Sequence, residues 1–190
     1  SESEYARTKG EGEGAVRAAF LEATILRPSV VFGPEDGFLN RFGALVALLP
    51  FTPVVSGGTR FQPVYVGDVA DAVMAALHRE DAKGKTYELG GPRVMSMREV
   101  MAYVQAETRR RRVMIEMPMG LMRVQARFAE WLPTPPITRD QLIMLGRDNV
   151  VSEGIPGLDA LGIEPSAMEA IAPTFLARYR KGGSRTSHPA

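Results

Sequence analysis

The chain is poor in the residues that build metal sites and covalent cross-links. Its 190 residues include no cysteine and only two histidines, His78 and His188. Without thiols there is neither a disulfide framework nor a thiolate metal site, and two histidines rarely suffice for a metal ion. We therefore expect no bound metal. A chain without cysteine also fits a reducing compartment such as the cytoplasm.

Long apolar runs and an excess of one charge are missing as well. The chain has 23 Lys and Arg against 22 Asp and Glu, a formal net charge of +1, so no overall field attracts nucleic acid. Its longest apolar stretch, residues 42–49, is far shorter than the about 20 residues of a membrane-spanning helix. The polar segment that starts at Ser1 does not resemble a secretory signal. We expect a protein that neither crosses a membrane nor binds nucleic acid.

What is present is an ordinary globular composition, 45% hydrophobic and 24% charged, arranged in a repeated order. A short β-rich run, a turn and a segment with helical periodicity follow one another in residues 23–48, 61–77 and 86–107. Such alternation of strands and helices is typical of α/β domains. The sequence therefore predicts an α/β fold.

Local signals predict where several elements begin. A strand over residues 23–26 should end before a loop that starts with Arg27 and Pro28, and Asp68 is a favourable N-cap for a helix. Serine or threonine three residues before glutamate or glutamine is the capping-box spacing. The pairs with this spacing are Ser96 with Glu99, Thr138 with Gln141, and Ser166 with Glu169. The first of them predicts a helix over residues 97–107.

Tyr5 and Lys9 stand four positions apart in a segment expected to be helical, which places both on one face. A free phenol ionises near pH 10 and is a poor base at neutral pH, and a neighbouring ammonium group favours its charged form. The pair is therefore a candidate base with its electrostatic partner. The pattern is short, and an exposed tyrosine near a frayed helix end matches it equally well.

The residues that follow this pair resemble a known family. Residues 24–34 read Thr-Ile-Leu-Arg-Pro-Ser-Val-Val-Phe-Gly-Pro, residues 66–70 read Val-Gly-Asp-Val-Ala, and residues 87–91 read Tyr-Glu-Leu-Gly-Gly. In this order they are similar to the extended short-chain dehydrogenases/reductases. The resemblance implies a Rossmann-like fold that binds NAD(H) or NADP(H).

The same resemblance implies roles for individual residues. Tyr5 and Lys9 correspond to the catalytic tyrosine and lysine, and the lysine also holds the nicotinamide ribose. The loop after the first strand closes over the nicotinamide, partly through backbone groups. It corresponds here to Pro28, Ser29, Val30 and Val31, which we take, with Lys9, as the predicted cofactor-binding residues.

Further stretches resemble one branch of this family, which includes the NADPH-binding accessory subunit of respiratory complex I. They are residues 32–42, 61–70, 138–141 and 148–151. The resemblance implies an accessory subunit or assembly factor of NADH:ubiquinone oxidoreductase that carries a structural nucleotide. Complex I subunits or a membrane surface are the implied partners. The implied location is the cytoplasm or the periphery of the inner membrane, on the matrix side in a mitochondrion.

One part of the family pattern is missing from this chain. A dinucleotide-binding fold begins with a strand, a glycine-rich turn and a helix, and nothing of this kind precedes Tyr5. We therefore expect the C-terminal part of a Rossmann-like core together with a small α/β substrate-binding subdomain. Residues 1–92 would belong mainly to the core, residues 93–180 mainly to the subdomain, and residues 181–190 to a disordered tail. The nucleotide would then bind the full-length protein, and this portion alone would hold none.

Two alternatives to the accessory subunit stay open. The retained Tyr5 and Lys9 suit a working oxidoreductase or epimerase that acts on a sugar nucleotide or a quinone-pathway intermediate. A truncated portion without activity of its own is the other alternative, and its exposed sheet edge would favour a homodimer. The arginines at 109–112 are interpreted as a solvated turn or as a contact for an anionic surface.

Overall fold

The computed structural model describes residues 3–129 and 139–182, which form seven α-helices and eight short β-strands. The helices are α1 (Glu4–Ala19), α2 (Leu39–Leu48), α3 (Val66–His78), α4 (Met97–Glu107), α5 (Met119–Ala129), α6 (Arg139–Leu145) and α7 (Met168–Leu176). The strands are β1 (Ile25–Pro28), β2 (Val31–Phe32), β3 (Thr52–Val55), β4 (Arg60–Phe61), β5 (Val64–Tyr65), β6 (Thr86–Leu89), β7 (Met95–Ser96) and β8 (Met114–Met117).

The strands pair two by two, and most pairs are parallel. β1 pairs with β6, β2 with β5 and β3 with β8 in parallel, whereas β4 and β7 are antiparallel. In the first pair Ile25 lies opposite Thr86 and Pro28 opposite Leu89. Parallel strands require crossover connections, which helices supply here. The predicted α/β fold is confirmed.

The largest core lies among α2, α4, α7 and the strands beside them. In α4, Val100, Met101 and Val104 recur at the spacing of one helical face and are fully buried or nearly so. Leu39 and Val46 of α2 pack in the same cluster. Two smaller cores flank it, one around β5 and β6 and one between α5 and α6. Helices α2, α4 and α7 therefore supply most of the main hydrophobic core.

α1 lies on the surface, and none of its residues is buried. Its N-cap is Ser3, whose side chain accepts a hydrogen bond from the Ala6 N–H. Gly10, Gly12 and Gly14 occupy the middle of the helix, where each glycine costs about 1 kcal/mol relative to alanine. Packing contributes little to this helix, so polar contacts with its neighbours must hold it in place.

β1 extends further than the sequence predicts, because it includes Arg27 and Pro28. The Ser29 N–H donates to the Leu89 carbonyl oxygen at 2.9 Å, so the Pro28 nitrogen points to the opposite edge of the strand. A proline there costs the β1–β6 pair no hydrogen bond. The predicted loop therefore begins after Pro28.

Two predicted helix starts are wrong, and they share one cause. The N-cap of α3 is Tyr65 rather than Asp68, and the N-cap of α7 is Ala167 rather than Ser166. The Asp68 carboxylate is buried, and it accepts hydrogen bonds from the Ser166 N–H at 2.7 Å and from the Ser166 hydroxyl at 2.8 Å. A buried carboxylate needs such donors, so the long-range pair takes both side chains away from local capping.

Other local predictions agree with the structure or fall outside it. α4 spans Met97–Glu107 behind a complete capping box of Ser96 and Glu99, as predicted. The predicted capping box at Thr138 and the tail beyond Gly182 lie outside the described residues. The division of the chain at residue 92 stays a prediction.

The four arginines at 109–112 connect α4 to β8. Arg109 has a positive φ of 52°, and the Arg110 side chain donates to the Tyr179 carbonyl oxygen at 3.0 Å. The Arg112 N–H donates to the side chain of Gln105. Part of this basic run is therefore engaged in closing the turn.

Candidate functional site

The predicted catalytic pair lies in the first turns of α1. The Lys9 Nζ atom is 5.6 Å from the centroid of the Tyr5 ring, so both side chains lie on one face of the helix. Both are exposed, with Tyr5 at 51% of its full accessibility. A phenol and an ammonium group thus stand together where a ligand from solvent can reach both.

Polar contacts tie α1 to the rest of the protein near both of its ends. At the start, the Glu4 N–H donates to Asp140 Oδ1 of α6 at 2.9 Å. Further along, Glu13 and Arg17 contact β1 and β6: Arg27 Nη2 lies 2.7 Å from Glu13 Oε1, and the Arg17 side chain donates to the Thr86 hydroxyl. The orientation of Tyr5 and Lys9 therefore depends on these polar contacts.

Electrostatics strengthen the contact between α1 and β1. Hydrogen bonding by the Arg27 guanidinium lowers the pKa of Glu13, and the same bond raises the pKa of Arg27. Burial raises the pKa of Glu88, but hydrogen bonds from Ser152 and Arg27 outweigh it and leave that pKa lowered. Arg27 therefore bridges two ionised carboxylates, one on α1 and one on β6.

Ser29, one of the predicted cofactor-binding residues, forms hydrogen bonds within the protein rather than presenting its hydroxyl to solvent. It is buried, and its hydroxyl donates to the Asn149 carbonyl oxygen at 2.7 Å while its N–H donates to Leu89. Within residues 3–129 and 139–182, no hydrogen bond joins Tyr5 or Lys9 to this loop. The structure thus brings Tyr5 and Lys9 together without linking them directly to the loop.

The other three predicted residues of the loop, Pro28, Val30 and Val31, differ in their exposure to solvent. Pro28 is exposed at the end of β1, whereas Val30 and Val31 are half-buried. The Val30 carbonyl oxygen accepts a hydrogen bond from the Val64 N–H at 3.0 Å. Pro28 therefore has the most accessible surface of the predicted loop residues.

An apolar cavity of about 510 Å³ lies beside this loop and includes Val30 in its lining. Residues of α2, β3, α4, β8, α5 and α6 form most of its walls. Among the described residues, its aromatic lining consists of Phe38, Phe42, Phe51 and Phe61, and its methionines are Met97, Met101, Met117, Met122 and Met144. This volume lies within the range of about 300–1,000 Å³ that is typical of small-molecule sites.

α6 connects the cavity to the start of α1. Gln141 lines the cavity, and the preceding residue, Asp140, accepts the hydrogen bond from the Glu4 N–H. The Arg41 Nη1 atom, on α2, donates to Gln141 Oε1 at 3.5 Å. The helix that carries Tyr5 and Lys9 and the cavity therefore both contact the same short helix, α6.

The sequence analysis missed both Asp140 and the cavity. Asp140 lies in the first turn of a helix, where an acidic residue needs no further explanation. The described residues that line the cavity come from seven helices and strands and from the loops between them, and no local spacing reveals it. Among the described residues, no cluster of three or more metal-ligating side chains is present.

Comparison with known proteins assigns this architecture to a family. The RmlD substrate binding domain family matches residues 2–135. The chain belongs to this family. Together with the relatives and the related structure described below, the match confirms the similarity to short-chain dehydrogenases/reductases that the sequence motifs indicate.

Curated relatives identify the branch. NADH dehydrogenase (ubiquinone) 1 alpha subcomplex subunit 9, mitochondrial, of Arabidopsis thaliana is 37% identical over 194 residues, which cover 96% of this chain and 48% of that protein. The Mus musculus protein of the same name is 34% identical over 183 residues, covering 95% and 48%. The chain spans about half the length of these relatives. The predicted similarity to a complex I accessory subunit is confirmed.

A solved structure supports the fold. The human epimerase family protein SDR39U1, crystallised with NADPH, superposes with a TM-score of 0.60 at 21% identity, covering 80% of this chain and 47% of that one. At this identity the match establishes the fold alone. Across the part of the chain that the structure describes, every helix is too short or too polar to cross a bilayer.

Proposed function

We propose that this chain is part of an accessory subunit of NADH:ubiquinone oxidoreductase and contributes one wall of a nicotinamide dinucleotide site. The observation that carries the proposal is the 37% identity to the plant complex I subunit over 96% of the chain. The partners are then complex I subunits, and the location is the surface of the inner membrane, on the matrix side in a mitochondrion.

The donor set on α1 suits a nicotinamide ribose. The Lys9 ammonium group carries three hydrogen-bond donors and the Tyr5 hydroxyl can donate and accept, which matches two vicinal ribose hydroxyls. Both groups are exposed on one helical face. A bound nicotinamide would supply hydride chemistry, and these residues would bind and orient its ribose. The residues present therefore fit the group.

In this proposal the nucleotide has a structural role. It would add contacts to α1, a helix with no buried residue, and so stabilise that helix against the rest of the protein. The proposal covers both NADP(H) and NAD(H). The residues that distinguish these two cofactors follow the second strand of a dinucleotide-binding fold, and that strand has no counterpart among the described strands.

Purification from native membranes tests the partner. The full-length protein should co-purify with complex I subunits after mild detergent extraction. Quantitative recovery as a free protein, with intact complex I in other fractions, would contradict the proposal.

Nucleotide retention tests the site. We expect Lys9→Gln to reduce the NADP(H) or NAD(H) released on denaturation of the purified full-length protein by roughly ten-fold, as for loss of one charge-assisted contact. Lys85→Gln changes another exposed lysine and should leave retention unchanged. Equal retention in all three proteins would mean that Lys9 does not hold the nucleotide.

The contact between Tyr5 and Lys9 favours a second candidate, an active oxidoreductase or epimerase. A phenolic base beside a lysine suits proton transfer to or from a substrate hydroxyl. If the protein has a turnover activity that depends on NAD(P)H, Tyr5→Phe should lower kcat by at least roughly a hundred-fold while nucleotide retention stays the same. Unchanged turnover in that variant would exclude this role for Tyr5.

A further inference from the structure

The cavity beside Val30 becomes more exposed from one end to the other. Met97, Met101 and Met122 are buried, with exposures of 2%, 1% and 9%. Met144 is 37% exposed and Arg41 is half-buried. The cavity therefore leads from partly exposed residues to an apolar interior. Flexible methionine side chains adapt to the shape of a bound hydrocarbon.

Arg41 provides a positive charge among these walls. Its contact with Gln141, at 3.5 Å, is at the limit of a hydrogen bond, and no carboxylate of the described residues forms an ion pair with it. A half-buried guanidinium beside an apolar space favours an anionic partner with two acceptor oxygens.

Among the described residues, the polar lining is too sparse for a sugar. Besides Arg41, the described polar side chains that line the cavity are Gln125, Gln141 and Asn149. Hydroxyl groups buried against the remaining wall would lose their hydrogen bonds to water without replacement.

We propose that this cavity binds an anionic amphiphile, with its hydrocarbon chain among the methionines and phenylalanines and its acidic head group at Arg41. A carboxylate and a phosphate monoester share this chemistry. The site does not depend on the proposed nucleotide function, because Lys9 and Tyr5 do not line the cavity. Its occupant would lie beside the start of α1, since Gln141 adjoins Asp140.

A series of chain lengths tests the apolar part of the site. Saturated fatty acids of eight, ten and twelve carbons would be titrated into the purified protein below their micelle concentrations, with displacement of cis-parinaric acid as the signal. Each added methylene should tighten binding roughly four-fold until the cavity is filled. An affinity independent of length, or displacement of the probe by UDP-glucose at equal concentration, would overturn the proposal.

Arg41→Gln tests the acidic head. The variant should bind dodecanoate at least roughly ten-fold more weakly and bind dodecanol within two-fold of the unmodified protein, as expected for loss of a charge-assisted bond. Arg79→Gln removes an arginine outside the cavity and should change neither affinity. Equal losses for acid and alcohol would place the anion elsewhere. Dodecyl phosphate in the same assay distinguishes the phosphate from the carboxylate.

Filling the cavity provides an independent test. Leu45→Trp and Met144→Trp each replace a side chain of the lining with a larger indole and should abolish dodecanoate binding. Leu48→Trp adds the same group on α2 at a position that is 81% exposed and should bind normally. Circular dichroism and thermal melting identify any variant that fails to fold, and the chain-length series does not require a variant. Normal binding by a folded Leu45→Trp protein would exclude the cavity.

If Lys9→Gln loses nucleotide but still binds dodecanoate, the two proposals are separated.

Discussion

Arg27 of β1 holds Glu13 of α1 through two hydrogen bonds, Nε to Oε2 at 3.0 Å and Nη2 to Oε1 at 2.7 Å. Because no residue of α1 is buried, this two-pronged contact is a main attachment of the helix that carries Tyr5 and Lys9. Arg27 thus positions Tyr5 and Lys9 indirectly, through its contact with Glu13 on the same helix.

Removing this attachment should loosen α1 more than it destabilises the fold. We expect Arg27→Gln to speed amide hydrogen exchange in α1, whereas the free energy of unfolding changes by about 1 kcal/mol or less, as for other exposed ion pairs. Arg79→Gln removes an exposed pair with the nearby Asp81 and is the matched control. Unchanged exchange in α1 of the Arg27 variant would show that other contacts hold the helix.

The same contact should respond to acid. The folded state lowers the pKa of Glu13, so the stabilisation is fully present above the ordinary glutamate pKa of about 4.3 and is lost as pH falls through the lowered value. Glu88, which shares Arg27 and also has a lowered pKa, titrates in the same direction. Protection factors of α1 relative to α4 should therefore fall below pH 4. Glu13→Gln should weaken this dependence, and an equal dependence in both proteins would contradict it.

The buried Asp68 carboxylate, bonded to the half-buried Ser166, should matter more for stability than any surface ion pair. Asp68→Ala leaves the Ser166 N–H without its acceptor, which costs about 2 kcal/mol and lowers Tm by roughly 5 °C. Asp71→Ala, on an exposed position of the same helix, should leave Tm within about 1 °C. Similar melting curves for the two variants would show that the Asp68 contact contributes nothing.

Association between copies of the chain is also expected. Among the described strands β1 has one neighbour, β6, and two apolar residues, one shortly before β1 and one on α3, are strongly exposed: Leu21 at 85% and Leu77 at 74%. Light scattering should detect oligomers that grow with concentration. Leu21→Lys with Leu77→Lys should reduce them, whereas Leu48→Lys, on α2, should not. A monodisperse monomer at all concentrations would rule out this behaviour.

Predictions from local signals succeeded where residues close in sequence form hydrogen bonds with each other. Ser96 and Glu99 cap α4 because each supplies what the first turn of that helix lacks, so a spacing of three positions was sufficient. The Ser166 and Glu169 spacing is identical, yet Ser166 bonds to Asp68 instead. No local pattern distinguishes the two cases, because the competing partner is remote in sequence.

The sequence alone determined the alternation of strands and helices, the shared face of Tyr5 and Lys9, and the family likeness. The first two follow from periodicity, which the geometry of a single element dictates, and the family likeness follows from the resemblance of short motifs to those of known proteins. Only the tertiary structure decided that Arg27 holds α1, that Asp68 serves Ser166, and that methionines from separate elements enclose a cavity beside Arg41. Burial and charge pairing join residues that are distant in the chain, and their partners exist only once the elements have packed.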